Sequence, residues 1–340
     1  MTQTILLTGA SGYIGKHIAA QLLNAGYAVR GSVRRLDRAD EVRAAVSPVL
    51  TDPASLERLS FVALDLTRDD GWTQAMEGVD AVLHTASPFP LAQPKDEEEL
   101  IRPAVDGALR ALRAAHAAGV RRVVLTSSVA AVMGAGGAGD SRFDESDWTD
   151  PTDPDVAAYS RSKTLAEKAA WDFVANEAPE IALTTINPSL VIGPPLDRHY
   201  GSSISVVERM LRAKDPALPN MGFPSVDVRD VAKLHVDALS TPASEGKRVI
   251  ASEQFMWFVE MAETLKDAYP DRKIVTRRAP NFMIRLIALF DPAIRSILPS
   301  LGKRQDVSGD RARNLFGMTF LDSRQSLRDT ASFLIQNKLV

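Results

Sequence analysis

The sequence predicts an α/β fold, a doubly wound parallel sheet joined to a smaller, mostly helical domain. Three observations carry this expectation. Short apolar runs alternate with amphipathic stretches from Thr4 to Ser189, the rhythm of parallel strands linked by right-handed helical crossovers. A turn with three glycines, "TGASGYIG", separates the first apolar run from the first amphipathic one. After Pro194 the rhythm stops, and the turn formers of "GPPLDRHYGSS" give way to mainly helical patterns.

"ILLTG" reads as the first strand and residues 14–25 as the first helix, with apolar side chains three and four apart. "YAVRGSV" is the second strand, and a helix near 40–46 leads to the third, "LSFVALDL". "VDAVLHTAS" forms the fourth, the Ala-rich stretch 104–118 a helix, and "RRVVLTSSVA" the fifth. A helix starting near Val156 precedes the sixth strand, "IALTTINPS". Ligands of such a sheet sit beyond the carboxyl ends of its strands. Helices follow over 203–213, 227–240, 255–269 and 281–300, with "KRVIAS" and "KIVTRRA" as single strands.

The chain has 340 residues, 45% of them apolar, enough to bury a sizeable core. Its net charge of −3 gives no electrostatic case for nucleic acid or an anionic membrane. Without cysteine, thiol catalysis and thiolate metal sites are excluded. His17, His84, His116, His199 and His235 show no metal-ligand spacing, so no metal is expected and each reads as structural. Thr2 and Gln3 run straight into "ILLTGA" without the basic flank of a secretory signal. The longest apolar stretch, "FMIRLIALF", contains Arg285 and falls short of the ~20 residues that span a bilayer. A soluble cytoplasmic protein is the expectation, with residues 282–301 filling the core of the smaller domain.

"TGASGYIG" places Gly9, Gly12 and Gly15 after a strand and at a helix start, where unpaired N–H groups and a partial positive charge suit a pyrophosphate. Gly9 permits the tight turn, Gly12 a close approach to phosphate, and Gly15 close helix–strand packing. The second strand ends in "GSVRRLDR", with arginines where an NAD site usually has a carboxylate for the ribose 2′-hydroxyl. A planar guanidinium suits a 2′-phosphate, so NADP(H) is favoured over NAD(H). Asp65 and Leu66 end the third strand where an adenine edge could rest. "YSRSK" sets Tyr159 and Lys163 four residues apart on one helix face. A free phenol, at a pKa of about 10, is a poor proton donor and acceptor near neutrality, and an adjacent ammonium is expected to lower it. Ser128, in "TSSVAA", offers a hydroxyl able to hold a carbonyl oxygen.

Together "TGASGYIG", "TSS" and "YSRSK" resemble the extended short-chain dehydrogenases/reductases. Within them "VLHTASPF", "YSRSKTLAEKAAWDF", "INPSLVIGPP" and "DVRDVAKLHVDAL" are similar to plant dihydroflavonol and cinnamoyl-CoA reductases and fungal methylglyoxal or ketone reductases. The resemblance implies a Rossmann-like sheet. It implies a catalytic triad of Ser128, Tyr159 and Lys163, and a pyrophosphate loop of Gly9, Ser11, Gly12, Tyr13, Ile14 and Gly15. By the same resemblance Arg34 and Arg38 hold the 2′-phosphate, and Asp65 and Leu66 touch the adenine. Thr85, Ala86 and Ser87 lie beside the ribose, which Tyr159 and Lys163 also touch, and Pro188 and Val191 flank the nicotinamide. Plant dihydroflavonol reductases carry a flavonoid-binding asparagine five residues past the catalytic serine; here Met133 stands there, which argues against a flavonoid. Met133 and Phe89 are the candidate substrate-pocket residues.

The expected activity is NADPH-dependent reduction of an aldehyde or ketone, with Tyr159 as proton donor and a small-molecule carbonyl compound as partner. Residues 1–194 form the dinucleotide-binding domain, to which 225–252 returns; 195–224 and 253–340 form the substrate-binding domain. The chain acts as a monomer or homodimer. Other readings of the same residues are an epimerase or dehydratase that retains NAD, a hydroxysteroid-type dehydrogenase, and a nucleotide-sensing binding protein.

Overall fold

The computed structural model describes residues 2–87, 96–134, 140–295 and 297–340. Its strands are β1 (Thr4–Thr8), β2 (Ala28–Val33), β3 (Leu59–Ala63), β4 (Ala81–His84), β5 (Arg122–Thr126), β6 (Ser141–Phe143), β7 (Ala182–Pro188), β8 (Leu190–Ile192), β9 (Gly222–Asp227), β10 (Lys247–Ala251), β11 (Gln254–Trp257) and β12 (Gln305–Val307). The helices are α1 (Tyr13–Asn24), α2 (Ala39–Val46), α3 (Trp72–Met76), α4 (Glu98–Ala117), α5 (Ala158–Asn176), α6 (Ser202–Leu211), α7 (Val228–Ala238), α8 (Phe258–Ala268), α9 (Asn281–Ile287), α10 (Pro292–Arg295), α11 (Asp310–Phe316) and α12 (Ser323–Gln336).

Seven parallel strands form the main sheet in the order β10-β7-β5-β4-β1-β2-β3. The order reverses between β1 and β4, the switch point outside which a doubly wound sheet binds its ligands. Helices cover both faces, so the inner strands are almost continuously apolar, as in "ILLT" and "RVVLT". α4 buries Leu100, Ala104, Ala108, Ala111 and Ala115, the stripe that marks a helix lying on a sheet. It begins at Glu98 rather than 104 and takes Pro103 within it.

The later chain joins the first part more closely than the broken rhythm suggests. β10 extends the main sheet beside β7. A second sheet, β11-β9-β8, starts from β8, and β12 pairs with β6 in a third. One apolar core runs from Ile5, Leu7 and Val29 to Ile204, Val207, Met261 and Leu327.

Three local expectations need correction. Residues 255–257 belong to β11, because pairing with Gly222–Pro224 outweighs their helical spacing. "KIVTRRA" makes one isolated bridge, Arg278 to Leu218, and no strand, its ladder ending at that one pairing among the described residues. Residues 281–300 are not one helix but α9, α10 and a 3₁₀ turn over Leu298–Ser300, since Pro292 and Pro299 interrupt the backbone ladder. Among the described residues of 282–301 only Ile284, Ala288 and Leu301 are buried, while Phe282 and Phe290 are 71% and 84% exposed, so much of it lies on the surface instead of filling a core. Among the described residues no helix is long and apolar enough to cross a membrane.

Candidate active site

The site is built around the turn from β1 into α1. Gly9 has φ +71°, a left-handed conformation that strains other residues, and a Cβ on it would lie 2.9 Å from the Ala86 nitrogen. A Cβ on Gly15 would lie 2.2 Å from the Gly9 carbonyl oxygen, so the helix can pack this tightly only on glycine. The Gly12 N–H donates to Gly9 O at 2.9 Å and closes the turn on itself.

Beyond the turn, α1 grips the loop that follows β8. The Tyr13 hydroxyl donates to Gly193 O at 2.8 Å, His17 Nε2 bonds Pro194 O at 3.0 Å, and the Lys16 ammonium pairs with Asp197. Burial holds the Tyr13 phenol well above its ordinary range. Burial also pushes His17 down to about 4, so it is neutral and its Nε2 carries the donated proton. Glu41 and His199 join the Lys16–Asp197 pair, with His199 Nδ1 2.9 Å from Glu41.

At the end of β4, Thr85 Oγ1 donates to Thr8 O at 2.6 Å, and the Ala86 N–H donates to Thr8 Oγ1 at 3.2 Å. Thr8 Oγ1 lies 2.9 Å from His84 Nδ1. Burial drives His84 to about 3, which makes it a neutral structural partner.

Ser128 follows β5 and caps the 3₁₀ turn Val129–Ala131, its Oγ accepting from the Ala130 N–H at 3.1 Å. The same side chain hydrogen-bonds Tyr159, in the first turn of α5. Burial raises the Tyr159 phenol above its ordinary value, and the Ser128 bond opposes the rise. The expected net lowering is not seen, because desolvation dominates the Tyr159 phenol. Lys163 is itself pushed down to about 8 by burial, with Glu167 pulling the other way.

Glu167 was missed in the sequence, and it organises the ground behind the triad. Its Oε1 accepts from Arg248 Nε at 2.7 Å and Thr185 Oγ1 at 2.9 Å; its Oε2 accepts from Ser127 Oγ at 2.5 Å and Asn187 Nδ2 at 2.7 Å. Asn187 also donates to Ser128 O at 3.2 Å, and Arg248 stacks 3.6 Å from the Trp148 ring centre. The available signal was spacing, because Tyr159, Lys163 and Glu167 recur every four residues along one face of α5.

A cavity of about 810 Å³ brings much of the expected set together. Gly9, Gly12, Tyr13, Ile14 and Gly15 line one end, with Thr85 and Val191 alongside. Ser128, Tyr159 and Met133 line the same space, joined by Tyr200, Phe223 and Gln305, which sequence reasoning missed. Ala86, Ser87 and Lys163 border a separate cavity of about 20 Å³. Ser11 lies in the glycine turn, and Pro188 ends β7. Asp65 and Leu66 follow β3, where Thr67 N–H and Oγ1 bond the Asp65 carboxylate at 2.8 and 2.7 Å and hold it below its ordinary value. Arg34 is exposed at the end of β2, whereas Arg38 is engaged by Glu41 through bonds of 3.0 and 2.5 Å. Phe89 lies outside the described residues.

The model of the NAD dependent epimerase/dehydratase family matches residues 5–251. The chain belongs to that family. Among curated relatives of this family member, a putative NADPH-dependent methylglyoxal reductase of Candida albicans is 29% identical over 98% of each chain. Cinnamoyl-CoA reductase 1 of Arabidopsis thaliana is 32% identical over 98% of this chain and 89% of its own. The crystal structure of yeast methylglyoxal/isovaleraldehyde reductase complexed with NADPH superposes with a TM-score of 0.81 at 27% identity, covering 99% of this chain and all of that one. The seven-stranded Rossmann-like sheet is common to both.

Proposed function

We propose that this family member reduces an aldehyde or ketone to the alcohol with NADPH. The observation that carries the reading is the buried Tyr159 hydroxyl, bonded to Ser128 in the cavity into which the glycine turn opens. Relatives named as NADPH-dependent reductases over nearly the whole chain support it. We further assign residues 1–194 with 225–252 to the dinucleotide-binding part, and 195–224 with 253–340 to the substrate-binding part.

The residues present fit the cofactor. Bare backbone at Gly9, Gly12 and Gly15, where Cβ atoms would crowd the turn, leaves the amino end of α1 open to a pyrophosphate. Ser11, Tyr13 and Ile14 would complete that cradle, and Arg34 and Arg38 would hold the 2′-phosphate. Asp65 and Leu66 would border the adenine. Thr85, Ala86 and Ser87 would line the ribose, and Pro188 and Val191 the nicotinamide. When bound, NADPH supplies the hydride for the carbonyl carbon.

The chain supplies the proton and the alignment. Ser128 donates a hydrogen bond to the carbonyl oxygen and steadies the charge that develops there. Tyr159 then passes its phenolic proton to that oxygen: the tyrosine O–H bond breaks as the alcohol O–H bond forms. A phenol held above its ordinary value by burial keeps its proton at neutral pH. An alkoxide is far more basic than a phenolate, so the transfer runs downhill. Lys163, one helical turn on, favours the phenolate left behind and holds the ribose.

Tyr159→Phe tests the reading. Its turnover of an aldehyde or ketone should fall ~10²–10⁴-fold with NADPH affinity kept. Undiminished turnover by that variant would overturn the proposal.

A further inference from the structure

We propose that Gln305 is a second recognition point in the substrate cavity, donating a hydrogen bond to an uncharged acceptor oxygen that the substrate carries apart from its reacting carbonyl. The proposal rests on the reductase reading above. Gln305 opens β12, and pairing with Ser141 of β6 fixes its backbone. It is 8% exposed, forms part of the cavity wall, and its amide nitrogen is buried with no hydrogen-bond partner among the described residues. Buried amides are nearly always paired, so a donor left over beside a binding cavity is matched to something that binds there. The terminal amide torsion is soft, and rotation about it turns the nitrogen toward a bound acceptor without moving the strand.

The surroundings define the acceptor. Met133, Val206, Phe223 and Pro299 make the nearby cavity wall largely apolar. Val307, on the same face of β12, packs with Val132 and Ile250, which sets the strand against the segment following Ser128. Gln305 and the Ser128–Tyr159 pair therefore face one space. Among the described residues that line it there is no lysine, arginine or histidine, and the one charged group is Asp155. A carboxylate or phosphate would lose its water there with no counter-charge. A neutral ester carbonyl asks only for the donor that Gln305 holds. The substrate class is thus a neutral keto ester with an apolar remainder.

The test compares a keto ester with a ketone of equal length in which methylenes replace the ester oxygens. Wild-type protein should favour the ester in kcat/KM. In Gln305→Leu that value should drop about 10- to 100-fold for the ester, mainly through KM, while the plain ketone stays within about twofold. Gln305→Met, of similar length but without the donor, should lose the same preference and serves if the leucine variant does not fold. An equal fall for both substrates, or no change in either, would overturn the subsite and leave reduction itself standing. Better turnover of the free keto acid would overturn the uncharged assignment. If wild-type protein that binds NADPH reduces neither compound, the reductase reading fails, and the subsite with it.

Discussion

Arg34 and Arg38 lie one helical turn's worth of sequence apart, yet they differ in what engages them. Arg38 is held by Glu41 through two bonds, while Arg34 stands exposed with its field reaching Asp65. A 2′-phosphate would meet Arg34 directly but would have to displace a carboxylate at Arg38. Arg34→Ser should therefore raise the KM for NADPH about tenfold, as the loss of one charge-assisted bond predicts, with NADH unaffected. Arg38→Ser should cost less, and steady-state kinetics with the two cofactors would reverse this order if it is wrong. The readable residues were those whose chemistry is local, the glycines and the Tyr159–Lys163 pair. Gln305 gave no local signal and Glu167 only its place on the α5 face, because their partners come from distant chain: Gln305 sits against β6, and Arg248 is 81 residues from Glu167.

α5 sets Tyr159, Lys163 and Glu167 on successive turns of one face, with Glu167 anchored to Arg248. Glu167→Gln leaves the buried Arg248 guanidinium without its anion, a change that typically costs about 3–5 kcal/mol. It also removes the influence that raises Lys163, so the ammonium should lose its proton below about pH 8. The alkaline limb of kcat/KM should move to lower pH, which a purely structural role would not do. The charged and titratable groups coupled to Lys163 here are Glu167, which raises it, and His84, which its charge lowers. The same scale shows where the fold was legible. The main-sheet strands β1 to β5 and β7 declare themselves by alternating with helical stretches. β6 and β12 are three residues long and pair across nearly half the chain, so no local period announces them.

For the molecule as a whole, buried histidines set the acid limit. His84 is held at about 3, and His17 and His235 at about 4, against an ordinary 6.5, all by burial. Below pH 6.5 the unfolded chain takes up protons that the folded chain refuses, so stability falls as pH drops toward these folded values. Each histidine held at 4 removes about 3 kcal/mol across that window. Asp230, raised to about 6 mainly by burial, works the other way: it binds a proton when folded, and its contribution fades as pH rises through 6. Three histidines outweigh one aspartate, so the midpoint of thermal unfolding should decline from pH 7 to pH 4. A flat profile would contradict the burial of these rings. The glycine turn bears on kinetics at this scale too. With the Gly9 carbonyl filling the space beside Gly15 and the Gly12 N–H already bonded across the bend, the cradle has no slack to take up when the dinucleotide arrives. Rapid mixing with NADPH should accordingly record a single phase whose rate climbs linearly with concentration, without the plateau that a slow rearrangement would impose.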